Sequence, residues 1–186
     1  MTARPDVASA LGIRVVATRE ATRDLFGKAG VEAVVAALSR DDAAMFTGPP
    51  PKWVPEVTYI AWSRAVWDGP AKRDPAAFAR WADGVTDKGF GTARRMLMSL
   101  ASPWIIVRRA GALWRGEHSH GDLATTPNGA NGARFELRDS PYATDEIGAR
   151  AISEAFRFIV FRCRVKWATE QHVRVGDALH VEVRWG

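Results

Sequence analysis

From residue 111 to the end, the chain reads as strand, hairpin turn, strand, long helix, strand, turn, strand, an order that few folds accommodate. The turn is its firmest element. Pro127-Asn128-Gly129-Ala130-Asn131-Gly132 holds two Asn-Gly pairs, the dipeptide that most readily takes positive φ in a tight turn. After it Phe135 and Leu137 alternate with Arg134, Glu136 and Arg138, the period of a strand with one wet and one dry face. From Thr144, read as an N-cap, the period lengthens. Ile147, Ala151, Ile152, Ala155, Phe156, Ile159 and Val160 share one helical stripe, with Asp145 and Glu146 near the positive helix end. Phe158 and Phe161 lie off it, so the helix is either covered on more than one side or offers an aromatic second face to another element. Alternation returns with Cys163, Val165 and Trp167, Gly176-Asp177 turns the chain, and Leu179, Val181, Val183 and Trp185 form the dry side of a last strand.

The first hundred residues read as mainly helical after one short strand. Ile13, Val15 and Ala17 place that strand at residues 12–17, where it is expected to join the C-terminal sheet. A helix from Thr18 meets a break at Gly27-Lys28-Ala29-Gly30, and Val31, Val34, Val35 and Leu38 carry a second stripe that Asp41-Asp42 and the run of three prolines at 49–51 close. Pro55 opens a helix apolar around most of its circumference, through Val57, Tyr59, Ile60, Trp62, Val66 and Trp67. Asp74-Pro75 opens another, Met96, Leu97 and Leu100 mark a third, and Pro103 begins a segment read as helix before the sheet. The fold class is therefore α+β, N-terminal helices packed on a C-terminal antiparallel sheet in β-β-α-β-β order. Residues 1–186 are expected to form one domain, 1–110 mainly helical and 111–186 sheet and long helix.

Composition narrows the function classes. The single cysteine, Cys163, excludes an internal disulfide and suits a reducing compartment, so a cytoplasmic protein is expected. No apolar run is long enough to span a bilayer, and the N-terminal residues have no signal-peptide core. The net charge is +5, but acids are interspersed among the basic groups and no long basic run exists, which argues against nucleic acid as a partner. No Gly-x-Ser-x-Gly elbow supports a hydrolytic triad, and Gly89-Phe90-Gly91 reads as a helix start rather than a phosphate loop. His118, His120 and Asp122 would share one strand face at alternate positions, a set that suits a divalent ion. No distant fourth ligand accompanies them, so no metal is expected. A metal-dependent hydrolase using those three residues stands as the enzyme alternative.

The element order, together with the run from Ala133 to Tyr142 (Ala-Arg-Phe-Glu-Leu-Arg-Asp-Ser-Pro-Tyr), Arg23-Asp24-Leu25-Phe26-Gly27 and Trp53-Val54-Pro55, resembles a superfamily of known proteins. It contains bacterial 4-vinyl-reductase-type ligand-binding domains, haem nitric-oxide-binding domains and TRAPP trafficking subunits, and within it the chain is most similar to a myxobacterial family of unassigned function. The resemblance implies a bacterial domain that holds a small molecule or a partner between helices and sheet. The terminal cysteine pair of some vinyl-reductase-type domains is missing, the last hairpin offering His172, Gly176 and Asp177. The haem branch implies a ligating histidine on a helix ahead of the sheet and a Tyr-x-Ser-x-Arg motif. Here no histidine precedes His118 and the motif is absent, so haem is rejected and no cofactor is expected.

Eight tryptophans in 186 residues are the remaining signal. Indole combines a large apolar area with one N–H donor, which serves both a core and an apolar pocket. Trp62, Trp67, Trp81, Trp104 and Trp114 are the candidate ligand-binding residues. The leading reading is a non-catalytic sensor or regulatory domain for an apolar or aromatic ligand. The alternative is a TRAPP-like assembly subunit that forms a homodimer without a ligand.

Overall fold

The computed structural model describes residues 5–90 and 92–186; residues 1–4 and Gly91, the last of the Gly89-Phe90-Gly91 run, lie outside the described residues. The architecture is α+β. Strand β1 (Ser9–Leu11) leads into α1 (Ile13–Ala37), α2 (Arg40–Thr47), β2 (Trp53–Pro55), α3 (Glu56–Asp68), α4 (Pro75–Gly89), α5 (Thr92–Leu100) and α6 (Pro103–Glu117). Then come β3 (Asp122–Pro127), β4 (Gly132–Arg138), the short α7 (Pro141–Thr144), α8 (Glu146–Phe161), β5 (Ala168–Val175) and β6 (Ala178–Trp185).

The C-terminal sheet is antiparallel throughout, in the order β3-β4-β6-β5. Its dry face follows the alternation in the sequence: Ala133, Phe135 and Leu137 on β4 and Leu179, Val181, Val183 and Trp185 on β6 are all buried. Helix α8 lies over that face, and Phe156 stacks on Phe135 with ring centroids 4.8 Å apart. Helices α3 and α4 cover the other side of α8, which buries Phe158 as well as its main stripe. Two-sided cover accounts for Phe158 off the stripe, whereas Phe161 is exposed.

Several local expectations are corrected. Residues 12–17 are not a strand, because helix α1 begins at Ile13; the true strand, Ser9–Leu11, pairs with β2 in a separate two-stranded ribbon rather than with the C-terminal sheet. Val15 and Ala17 are buried by helix packing, which over so short a window mimics the strand period. Asp41 and Asp42 do not end a helix but sit in the first turn of α2, where the Ser39 side chain accepts from the Asp42 N–H. There the helix dipole favours them. Residue 111 lies within α6 rather than on a strand. The cap of α8 is Asp145, whose carboxylate accepts from the Gly148 N–H at 2.8 Å, while Thr144 ends α7. Cys163 and Val165 belong to the turn after α8, and Trp167 only precedes β5. The break read at Gly27 is real: its φ of 69° and ψ of −169° interrupt α1, a backbone conformation that glycine enters without penalty.

Candidate functional site

Between α6, α8 and the sheet lies a cavity of about 510 Å³. The spacing of α6 accounts for one wall: Ile105, Ile106, Arg109, Ala110, Leu113, Trp114 and Glu117 recur every three or four residues and so face the same way. Ile152, Ala155, Phe156 and Ile159 of α8 form the opposite wall by the same rule. Leu123 and Phe135 from the sheet floor it, and Val85 and Thr86 of α4 and its C-cap Phe90, with Leu97, Met98 and Ala101 around α5, close the remaining side. Phe90, Met98, Ala110, Trp114, Phe135, Ile152 and Phe156 are buried, whereas Leu97, Ile105 and Arg109 are exposed. The cavity thus has a mouth on the α5–α6 side, and Leu11, Ile13 and Arg14 complete its lining, with Ile13 also exposed.

At the inner end of α6 the indole of Trp114 and the imidazole of His118 stack one turn apart, centroids 3.6 Å apart and planes within 4°. The Trp114 Nε1–H donates to the His120 carbonyl at 2.9 Å, which fixes the indole plane. His118 Nδ1 lies 2.8 Å from Glu56 Oε1, and the Ser140 hydroxyl donates to Glu56 Oε2 at 2.8 Å. Glu56 is fully enclosed at the first turn of α3. Burial raises its carboxyl from 4.5 to about 7, against the opposing effects of the Ser140 hydrogen bond and the Arg14 charge. Burial and Arg14 together push His118 well below its ordinary value. The imidazole is neutral at pH 7, and its Nε2 is buried without a hydrogen-bond partner among the described residues. Arg14 itself is tied to Glu117 at 2.7 Å.

This network is structural rather than nucleophilic. Ser140 has a carboxylate rather than an imidazole against its hydroxyl, and Ser140, Glu56 and His118 are all buried, out of reach of a substrate. The strand face expected for His118, His120 and Asp122 does not exist. His118 caps α6, His120 lies in the following loop with its Nδ1 2.8 Å from Ser119 Oγ, and only Asp122 is on β3. Among the described residues no group of three or more His, Cys, Asp or Glu side chains is arranged to hold a metal ion, and the three-residue hydrolase site is set aside.

Of the five candidate tryptophans, Trp114 is in the cavity wall. Trp62 packs edge-on against Phe46 and Tyr59 and donates to the Asp42 carbonyl at 3.1 Å. Trp67 packs against Phe78 with Arg150 over its ring, and Trp81 donates to Thr22 Oγ1 at 3.0 Å. Trp104 meets Trp185 at 5.2 Å. The five are not gathered into one site. Sequence reasoning missed Glu56, although an acid set directly after the apolar Trp53-Val54-Pro55 was a signal. It also missed Ser140 and the aliphatic cavity wall, which had none.

No family model matches the chain and no curated protein matches it. Solved structures do match over nearly the whole length. An Fe(II) unliganded H-NOX protein from K. algicida superposes with a TM-score of 0.67 at 9% identity, covering 95% of this chain and 96% of its own. An H-NOX protein from S. oneidensis gives 0.66 at 9% identity over 95% and 96%. An oxygen-binding H-NOX domain related to soluble guanylate cyclases gives 0.62 at 9% identity over 94% of each chain. The structural neighbours are thus haem nitric-oxide-binding domains. At such identity they establish the fold.

Proposed function

We propose that this chain is a non-catalytic sensor or regulatory domain that takes a small apolar or aromatic molecule in the cavity between α6, α8 and the sheet. The cavity itself carries the reading: about 510 Å³ falls within the usual range for a small-molecule site, and its walls are predominantly aliphatic and aromatic. Three α6 groups set polarity at the inner end. Trp114 is held rigid, His118 is neutral, and Glu117 is neutralised by Arg14. One domain, a cytoplasmic setting, and kinship with the myxobacterial, vinyl-reductase-type and TRAPP families complete this reading.

The neighbouring structures raise haem as an occupant, and the lining residues do not fit it. An axial imidazole must turn a ring nitrogen into the cavity toward the iron. His118 is the one histidine in the described lining, its Nδ1 is engaged by Glu56, and its Nε2 has no exposed surface. His120, His172 and His180 do not line the cavity. His118 does end the helix ahead of the sheet, but it faces a carboxylate. We therefore derive no haem chemistry.

Native mass spectrometry of the purified protein, with thermal-shift measurements against apolar and aromatic probes such as naphthalene, tests the proposal. A stabilising shift that Ala155→Leu abolishes supports it, because that substitution grows a side chain into the cavity. A metal-free, ligand-free dimer that no probe stabilises favours the assembly reading, for which β5 supplies an unpaired sheet edge with Val173 and Val175 exposed. A haemin complex with a Soret band lost in His118→Ala would overturn the exclusion of haem.

A further inference from the structure

We infer that the ligand of this cavity is an amphipathic monoanion, an apolar body carrying one carboxylate, whose head is held by Arg109 at the mouth. The inference rests on the cavity reading above and names the ligand class it takes. Two arginines and one glutamate are the formally charged side chains of the described lining. Arg14 and Glu117 neutralise each other at 2.7 Å, and His118 is uncharged, so one positive charge is left over. That charge is Arg109, which has no ion-pair or hydrogen-bond partner among the described residues. It is exposed and follows Ile105, also exposed, by one helical turn on the cavity-facing side of α6.

The two ends of the cavity thus have opposite character. From Arg109 to Trp114 the helix rises about 7 Å, and over that distance the wall passes from a solvated cation to a buried aromatic surface. A carboxylate at the mouth keeps most of its hydration while pairing with a planar guanidinium fork suited to two oxygens. Its hydrocarbon body meanwhile leaves water for Leu113, Trp114, Phe135 and Phe156. A neutral apolar molecule would forgo the first gain. A cation would meet Arg109 and be repelled.

Isothermal titration calorimetry with decanoate, 1-decanol and decyltrimethylammonium at 50 mM salt tests this on the full chain. The expected result is decanoate binding about tenfold more tightly than decanol, with no measurable binding of the ammonium compound. Arg109→Gln should weaken decanoate about tenfold and leave decanol unchanged, and Arg109→Lys should restore part of the difference. Since Arg109 is solvent-exposed, these variants keep the fold, as far-UV circular dichroism verifies. Equal affinities for acid and alcohol, or a loss in Arg109→Gln that is the same for both, would overturn the carboxylate assignment while leaving the apolar cavity standing. Binding of none of the three would remove both.

Discussion

Glu56 supplies the sharpest test of the buried network beneath the cavity. Its carboxyl is raised from 4.5 to about 7 by burial, so folding favours the protonated acid. The associated stability is fully present below pH 4.5 and is lost as pH rises through about 7. At about 1.36 kcal/mol per unit, that interval corresponds to about 3 kcal/mol, and Glu56 is fully enclosed, so solvent does not screen it. His118 runs the other way. Its value falls below 6.5 on folding, so its contribution is present above pH 6.5 and is lost on acidification. Below pH 6.5 the two slopes oppose each other. Glu56→Gln removes one slope and keeps the geometry, since its amide oxygen still accepts from Ser140 and its N–H donates to His118 Nδ1. Urea unfolding followed by tryptophan fluorescence at unit steps from pH 4.5 to 8.5 provides the readout. The parent should lose about 3 kcal/mol relative to Glu56→Gln across that range. The variant, left with the His118 slope, should lose more stability than the parent on acidification below pH 6.5. A pH-independent difference, or one in which the parent gains on the variant as pH rises, refutes the assignment of a raised Glu56.

Gly12→Ala should destabilise by about 3 kcal/mol or more in chemical unfolding. A Cβ there would lie 1.6 Å from the Pro51 carbonyl oxygen, and relief requires the backbone to move. Asp145→Ala should cost about 1 kcal/mol through loss of the α8 cap, whereas Asp145→Asn, which can still accept from Gly148, should cost less than half of that. Cys163 is buried and its thiol is pushed up to about 11 by desolvation, so iodoacetamide at pH 8 should modify it only at the rate of local or global opening. Modification of the folded protein as fast as free cysteine would contradict its placement against the Ile159 carbonyl at the end of α8.

Elements whose structure depends on local chemistry were legible from the residues. Asn128-Gly129 forms its turn because glycine at a φ of 81° meets no penalty, and Asp74-Pro75 starts α4 because the aspartate accepts from the Ala76 N–H at 2.9 Å. The β6 alternation was legible for the same reason: one sheet face is dry. Elements decided by distant partners were not. Residues 12–17 alternate in burial because a helix packs on α3 and α4, and period alone cannot separate the two cases across six residues. His118 was misplaced for a related reason. Its environment comes from Glu56 and Ser140, 62 residues before it and 22 after it, and nothing in the His-Ser-His spacing records either. Tryptophan number likewise said nothing of position: indole serves a core and a cavity equally well, and Trp114 differs from Trp62 only in what faces it.

The N-terminal ribbon gives the molecule a definite order of assembly. Ser9 N–H donates to Ser119 Oγ at 2.9 Å across 110 residues, and the Ser119 N–H returns a bond to the Ser9 carbonyl at 2.8 Å, beside the bridge from Ala10 to His118. Joining those ends closes a loop of more than a hundred residues, whose entropy is spent before the few contacts it gains can repay it. The β3-β4 and β5-β6 hairpins and α8 need no such closure. The strand bridged to His118 is therefore expected to dock late in folding. Substitutions at Ser9 or Ala10 should quicken unfolding while leaving the folding rate nearly unchanged, so the enclosure of the cavity's inner end is governed by how fast this one strap lets go.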